Sequence, residues 1–215
     1  MRLDSEIAQE LIKTRVVAVL VVDDANQAVP LAQALAKGGV TALELTLRTP
    51  VAFEALRRIR SEVPEMKVGL GTVLTRDQVK QAKEGGAAFA VAPGLNRDIV
   101  KEAQQQGLPF SPGIMTPSDI EAALELDCQL MKFFPAEPSG GLGLLKSMAA
   151  PYLHRGVKFI PLGGLKPSNV GDYFASDLIA AVGGSWIAPR DRIQASDWET
   201  IRKNAAEAVA LAANG

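Results

Sequence analysis

Val16-Val-Ala-Val-Leu-Val-Val22 near one end of the chain and Ala180-Ala-Val-Gly-Gly-Ser185 near the other decide how this protein folds. Each is a short β-rich run, and neither carries the charges or prolines that blunt an exposed sheet edge. Further runs of the same kind begin near Ala42, Val68, Ala88, Pro109, Leu130 and Lys158, so strand candidates recur about every 20 to 28 residues with a helical stretch in each interval. A βα unit repeated eight times implies parallel strands, either in an open doubly wound sheet or in a closed barrel. The first and last runs are as apolar as the middle ones, and closure is the arrangement that leaves no edge. The first strand-to-helix turn also lacks the G-x-G-x-x-G of a dinucleotide-binding sheet. The reading is therefore α/β, a single (β/α)8 TIM barrel.

No Pro/Ser-rich or charged linker divides the chain, which predicts one domain over residues 1–215. Asp4, Glu6 and Glu10 among Ile7, Leu11 and Ile12 read as an amphipathic N-terminal helix. Thr75 with Gln78 and Ser196 with Glu199 read as capping boxes, and Pro50, Pro117 and Pro167 suit first helical turns. Gly38-Gly39, Gly85-Gly86 and Gly107 fit left-handed helix ends.

The composition excludes several function classes. With 215 residues, 47% hydrophobic and 22% charged, the chain can bury a substantial core. Lys+Arg 23 against Asp+Glu 24, without a basic cluster, removes the electrostatic attraction on which nucleic-acid and anionic-membrane binding rely. The longest apolar run, Val16 to Val22, is far short of the roughly 18 residues of a membrane span. The acidic N-terminal pattern lacks the plan of a signal peptide, so a cytoplasmic location is expected. One cysteine and one histidine allow neither an internal disulfide nor a Cys/His zinc site, and no metal is expected. Cys128 and His154 both precede strand candidates, whereas barrel chemistry sits where strands end, so both read as structural.

The second strand candidate, Ala42-Leu-Glu44-Leu-Thr46-Leu-Arg48, places Glu44, Thr46 and Arg48 on one face and the leucines on the other. With the leucines toward the helices, Glu44 points into the barrel, about 13 Å of strand rise below Arg48. The sixth, Leu130-Met131-Lys132-Phe133-Phe134-Pro135, sets Lys132 and Phe134 opposite Met131 and Phe133, so an amine enters the same lumen. Burial favours the neutral, nucleophilic form of an amine, the form an imine-forming lysine requires. A structural ion pair for Glu44, and a lysine reaching out to a strand end, are the plainer readings. Gly163-Gly164 and Gly183-Gly184-Ser185 end adjacent strands, where backbone N–H groups can approach a phosphate.

Glu44 within Leu43-Glu-Leu-Thr-Leu-Arg-Thr49, Gly71-Thr72-Val73, Ala92-Pro93-Gly94, Lys132-Phe-Phe-Pro-Ala-Glu137, Gly163-Gly164 and Gly183-Gly184-Ser185-Trp186 together resemble the 2-keto-3-deoxy-6-phosphogluconate (KDPG) aldolase family, in order and along nearly the whole chain. The resemblance implies a homotrimeric barrel and a class I aldolase without cofactor or metal. Such an enzyme splits KDPG into pyruvate and D-glyceraldehyde 3-phosphate in the Entner–Doudoroff pathway, and several relatives also cleave 4-hydroxy-2-oxoglutarate. It further implies Lys132 as the Schiff-base lysine, Glu44 as the general acid/base and Arg48 as the carboxylate clamp. Thr72, Pro93 and Phe134 would surround the pyruvate half, and Gly163, Gly164, Gly184 and Ser185 would hold the phosphate. Leu162 departs from the threonine frequent in this family and is like the apolar residue of related phosphogalactonate aldolases. A phosphogalactonate aldolase, a phosphate-binding barrel synthase or epimerase that forms no imine, and a purely regulatory phosphosugar binder are the rival expectations.

Overall fold

The computed structural model describes residues 1–215. In chain order the elements are α1 (Glu6–Thr14), β1 (Val16–Leu20), α2 (Ala28–Lys37), β2 (Ala42–Thr46), α3 (Ala52–Glu62), β3 (Lys67–Gly71), α4 (Arg76–Glu84), β4 (Phe89–Val91), α5 (Arg97–Gln105), β5 (Phe110–Ser111), β6 (Gly113–Ile114), α6 (Pro117–Leu124), β7 (Leu130–Phe133), α7 (Gly141–Ala149), β8 (Lys158–Pro161), α8 (Gly171–Phe174), β9 (Val182–Gly184), α9 (Arg190–Gln194) and α10 (Trp198–Ala213).

All strand pairs are parallel, in two sheets: six strands in the order β5-β4-β3-β2-β1-β9, and three in the order β6-β7-β8. The expected uninterrupted ladder of eight strands is thus not what the backbone hydrogen bonds form. β5 and β6 are two halves of the fifth run, parted at Pro112, which has no N–H to give to a ladder. Its carbonyl still accepts from Lys132 N at 2.9 Å. At the other junction β8 meets the run leading into β9 through the single bridge Phe159–Ile179. The residues of β9 itself pair with β1, Val182 opposite Val16 and Gly184 opposite Ala18.

Alternation along the strands sorts side chains into two apolar layers. Val16, Ala18 and Leu20 of β1, Leu43 and Leu45 of β2, and Met131 and Phe133 of β7 join the larger cluster of 56 residues, which the helices cover. Val17, Ala42, Leu130 and Ile160 belong to an inner cluster of 13. Ile7, Ala8 and Leu11 of α1 join that inner cluster beside the first residues of β2 and β7, so the N-terminal helix packs where those strands begin. Its sequence suits the place: Ser5 caps it by accepting from Ala8 N, and Arg15 closes it in the left-handed region.

Most helix boundaries follow local chemistry. Thr75 and Gln78 form the expected capping box, Pro117 opens α6, and Gly39, Gly86 and Gly107 all have positive φ. The box expected at Ser196 with Glu199 does not form. Asp197, one residue later, accepts from Thr200 N at 3.1 Å as the cap of α10, and Glu199 pairs with Arg202 at 2.7 Å instead. Pro50 precedes α3 by two residues and Pro167 lies in a turn before α8, so neither occupies a first helical turn. Cys128 is buried and His154 is exposed, each in a connection that enters a strand. No helix is long and apolar enough to cross a membrane.

Candidate active site

Glu44 is the third residue of β2 and Lys132 the third residue of β7. Each shares its face with an inner-cluster residue two positions earlier, Ala42 and Leu130. The two side chains meet inside the fold: Lys132 Nζ donates to Glu44 Oε1 at 3.0 Å and to Oε2 at 3.4 Å. Only 5% of Lys132 and 2% of Glu44 is exposed, so the pair is shielded from the screening that weakens surface ion pairs. The Lys132 ammonium also lies 5.4 Å from the centroid of the Phe134 ring, within cation–π range.

β3 makes the room for this pair. Gly69 and Gly71 alternate with Val68 and Leu70, which pack in the outer cluster, so beyond Lys67 the inner face of this strand carries no side chains. A Cβ at Gly71 would stand 1.9 Å from Glu44 Oε1, and one at Gly69 would stand 2.3 Å from the Phe89 ring. The Glu44 carboxylate and the Phe89 ring occupy the space that side chains on β3 would fill. This Gly-x-Gly at strand spacing is a signal the sequence carries, since glycine inside a strand marks close approach of another group.

The other expected site residues follow the ends of the strands. Thr72, directly after β3, is half-buried with φ 61, an uncommon conformation for a β-branched residue and one that collects at functional sites. Pro93, after β4, is half-buried, and its carbonyl oxygen would be 2.1 Å from a Cβ at Gly113. Arg48 departs from the expected alternation. β2 ends at Thr46, whose hydroxyl donates to Leu20 O at 2.9 Å, and Arg48 lies in the following turn, exposed and without a side-chain partner.

The glycine pairs are more crowded than open phosphate cradles. Gly163 and Gly164 have φ 98 and 79. A Cβ on Gly163 would come within 3.3 Å of the Phe134 ring, and one on Gly164 within 2.6 Å of Glu137 Cβ. Gly183 lies against Leu162 and Gly184 against the Trp186 indole, at 2.5 and 1.8 Å from where a Cβ would be. Ser185, between Gly184 and Trp186, is exposed.

The KDPG and KHG aldolase family model matches residues 7–204. The chain belongs to that family. It is 44% identical over 194 residues to the KHG/KDPG aldolase of Escherichia coli strain K12, covering 90% of each chain. Among solved structures it is similar to the KDPG aldolase of Legionella pneumophila with pyruvate captured as a covalent carbinolamine, at TM-score 0.90 and 34% identity over 95% of this chain and 98% of that one. The KDPG aldolase of Zymomonas mobilis with 3-phosphoglycerate aligns at TM-score 0.89 and 40% identity, over 98% of this chain and 97% of that one.

In this member of the KDPG and KHG aldolase family the fold brings Lys132, Glu44 and Phe134 into one cluster, with Gly163 against Phe134. Arg48, Thr72, Pro93 and Ser185 lie past the strand ends and Gly184 is the last residue of β9, and none of them hydrogen-bonds to that pair. The pattern reading passed over Phe89 and gave Gly71 and Trp186, quoted only within motifs, no role of their own; the parts of all three come from close packing.

Proposed function

We propose that this chain is a class I aldolase that cleaves KDPG to pyruvate and D-glyceraldehyde 3-phosphate, with 4-hydroxy-2-oxoglutarate as a further substrate. The observation that carries the reading is the buried Lys132–Glu44 contact of 3.0 Å in a chain of this family. Lys132 must lose a proton before it can attack the C2 ketone, and Glu44 is placed to take it. Addition gives a carbinolamine. Glu44 returns the proton to the departing hydroxyl, water leaves, and the iminium formed at C2 draws electrons from the C3–C4 bond. Glu44, directly or through a water, then accepts the C4 hydroxyl proton as that bond breaks. The aldehyde departs, the enamine is protonated at C3, and hydrolysis frees pyruvate and Lys132.

In this proposal Arg48 is a carboxylate clamp, for which its unpaired guanidinium is suited. Thr72, Pro93 and Phe134 wall the pyruvate half, and Gly163, Gly164, Gly184 and Ser185 take the phosphate. The two sheets are proposed as parts of one (β/α)8 wall and residues 1–215 as one domain, three copies of which form a cytoplasmic homotrimer. Leu162 supports a second reading for the substrate. Its buried side chain lies against Gly183 and offers no hydroxyl, so C4-epimeric KDPG, the phosphogalactonate-type substrate, is the competitor to test.

The experiment is an assay of purified protein with KDPG, its C4 epimer and 4-hydroxy-2-oxoglutarate, following pyruvate release. The proposal expects turnover of KDPG with equimolar aldehyde. Absence of pyruvate from all three would overturn it.

A further inference from the structure

Glu137 lies outside the groups used above, yet both of its carboxylate oxygens are hydrogen-bonded. It follows β7 by four residues, in the loop between the strand of Lys132 and α7. Tyr173 of α8 donates its hydroxyl to Glu137 Oε1 at 2.5 Å, and Asn169 Nδ2 donates to Glu137 Oε2 at 3.1 Å. The same Asn169 amide reaches Gly164 O at 3.2 Å, while its oxygen accepts from Lys166 N at 2.8 Å. The backbones are joined as well, with Glu137 N donating to Gly163 O at 3.0 Å and Ala136 N to Leu162 O at 2.7 Å. A carboxylate thus fastens the Gly163-Gly164 turn to the loop that follows Lys132. Burial first, then the hydrogen bond and charge of Glu137, push the Tyr173 hydroxyl far above its ordinary pKa, so that it stays a donor.

The arrangement needs explaining, because a negative charge beside a proposed phosphate site weakens anion binding unless it does something else there. We infer that Glu137 is a positioning residue: through Asn169 and Tyr173 it holds the Gly163-Gly164 turn on the β7–α7 loop, so that the phosphate end and the Lys132 end of the substrate site keep a fixed separation. This inference rests on the proposed phosphate role of that turn. A fixed separation matters because binding energy at the remote phosphate aids the reaction only if it sets C2 against the amine.

The test compares wild type with Glu137→Ala, Glu137→Gln and Tyr173→Phe on KDPG and on 4-hydroxy-2-oxoglutarate, which has no phosphate. Borohydride trapping with saturating pyruvate provides a third readout, and Ser185→Leu a control at the proposed phosphate site. Glu137→Ala is expected to raise KM for KDPG by about 10- to 100-fold, the effect of losing hydrogen bonds to a charged group. Trapping with pyruvate, and KM for the short substrate, should change by less than about threefold. Glu137→Gln keeps an acceptor for Tyr173 but sets an amide against the Asn169 amide, so it should fall between wild type and Glu137→Ala. Tyr173→Phe, a conservative change, should shift KM for KDPG in the same direction. Equal losses on both substrates, or no loss on either while Ser185→Leu impairs KDPG selectively, would overturn the inference alone. No selective effect in any variant, Ser185→Leu included, would overturn the phosphate assignment and the inference with it.

Discussion

Two charged side chains buried against each other constrain what substitution can do at this site. Removing one partner alone leaves the other uncompensated, at a cost on the order of 3 to 5 kcal/mol, whereas replacing both costs less. Lys132→Met with Glu44→Gln is therefore expected to unfold at a higher temperature than Lys132→Met, by thermal melts of single and double variants. A double variant less stable than both singles would mean that the contact is not a coupled pair. For catalysis, Glu44→Gln should still bind pyruvate yet lose turnover by roughly 10² to 10⁴-fold, the range for a positioned acid/base. Unchanged C3 proton exchange in pyruvate would move that role elsewhere. Gly71→Ala tests the same carboxylate without touching it. The new methyl would stand 1.9 Å from Glu44 Oε1, so Glu44 must shift, and a displacement of about 1 Å is expected to cost about 10²-fold in kcat. Wild-type kcat in a folded Gly71→Ala protein would show that the position of the carboxylate is not critical.

The strands were legible because a period of two is a strong signal when helices cover one face. Val16, Leu43, Met131 and Phe159 lie outward and Val17, Ala42, Leu130 and Ile160 inward, so Glu44 and Lys132 could be placed inside from their neighbours alone. The pattern failed where pairing or packing decides. Pro112 splits a strand that hydropathy reads as one. Arg48 sits past the last paired residue, Thr46, where alternation no longer applies. The glycine pairs read as anion cradles, but Gly163 and Gly184 are glycines also because Phe134 and Trp186 occupy the space of a side chain. For this reason Gly163→Val is a poor probe of phosphate binding and Ser185→Leu, at an exposed position, a better one. Leu162, buried directly after β8, offers a separate test of the apolar wall. Leu162→Thr should raise the preference for KDPG over its C4 epimer, because a hydroxyl that pairs with a substrate hydroxyl discriminates more strongly than an apolar contact. An unchanged ratio of kcat/KM values would show that position 162 does not read C4.

Across the whole molecule, charge is balanced and dispersed, and one exposed cluster ties the two ends of the chain. Asp23, after β1, accepts from Arg190 and Gln194 of α9, with Arg190 Nε at 2.8 Å and Nη2 at 2.5 Å. The Arg190 hydrogen bonds, then that of Gln194, hold the Asp23 carboxyl at about 2 against an ordinary 3.8. A pKa depressed on folding stabilises the native state above the unfolded value, and that share is lost as pH falls from about 4 through about 2. Asp23→Asn should accordingly melt below wild type at neutral pH, with a gap that narrows toward pH 2 and in high salt. A gap independent of pH between 7 and 2 would show that the carboxylate charge contributes nothing.

The Lys132 amine is the proposed nucleophile, and reductive trapping reads it directly. Protein incubated with pyruvate and sodium borohydride, then digested and analysed by mass, should carry the reduced three-carbon adduct on the peptide containing Lys132. Lys132→Ala should give neither adduct nor turnover while melting cooperatively. An adduct on a different lysine, or KDPG cleavage at the wild-type rate by Lys132→Ala, would contradict the account.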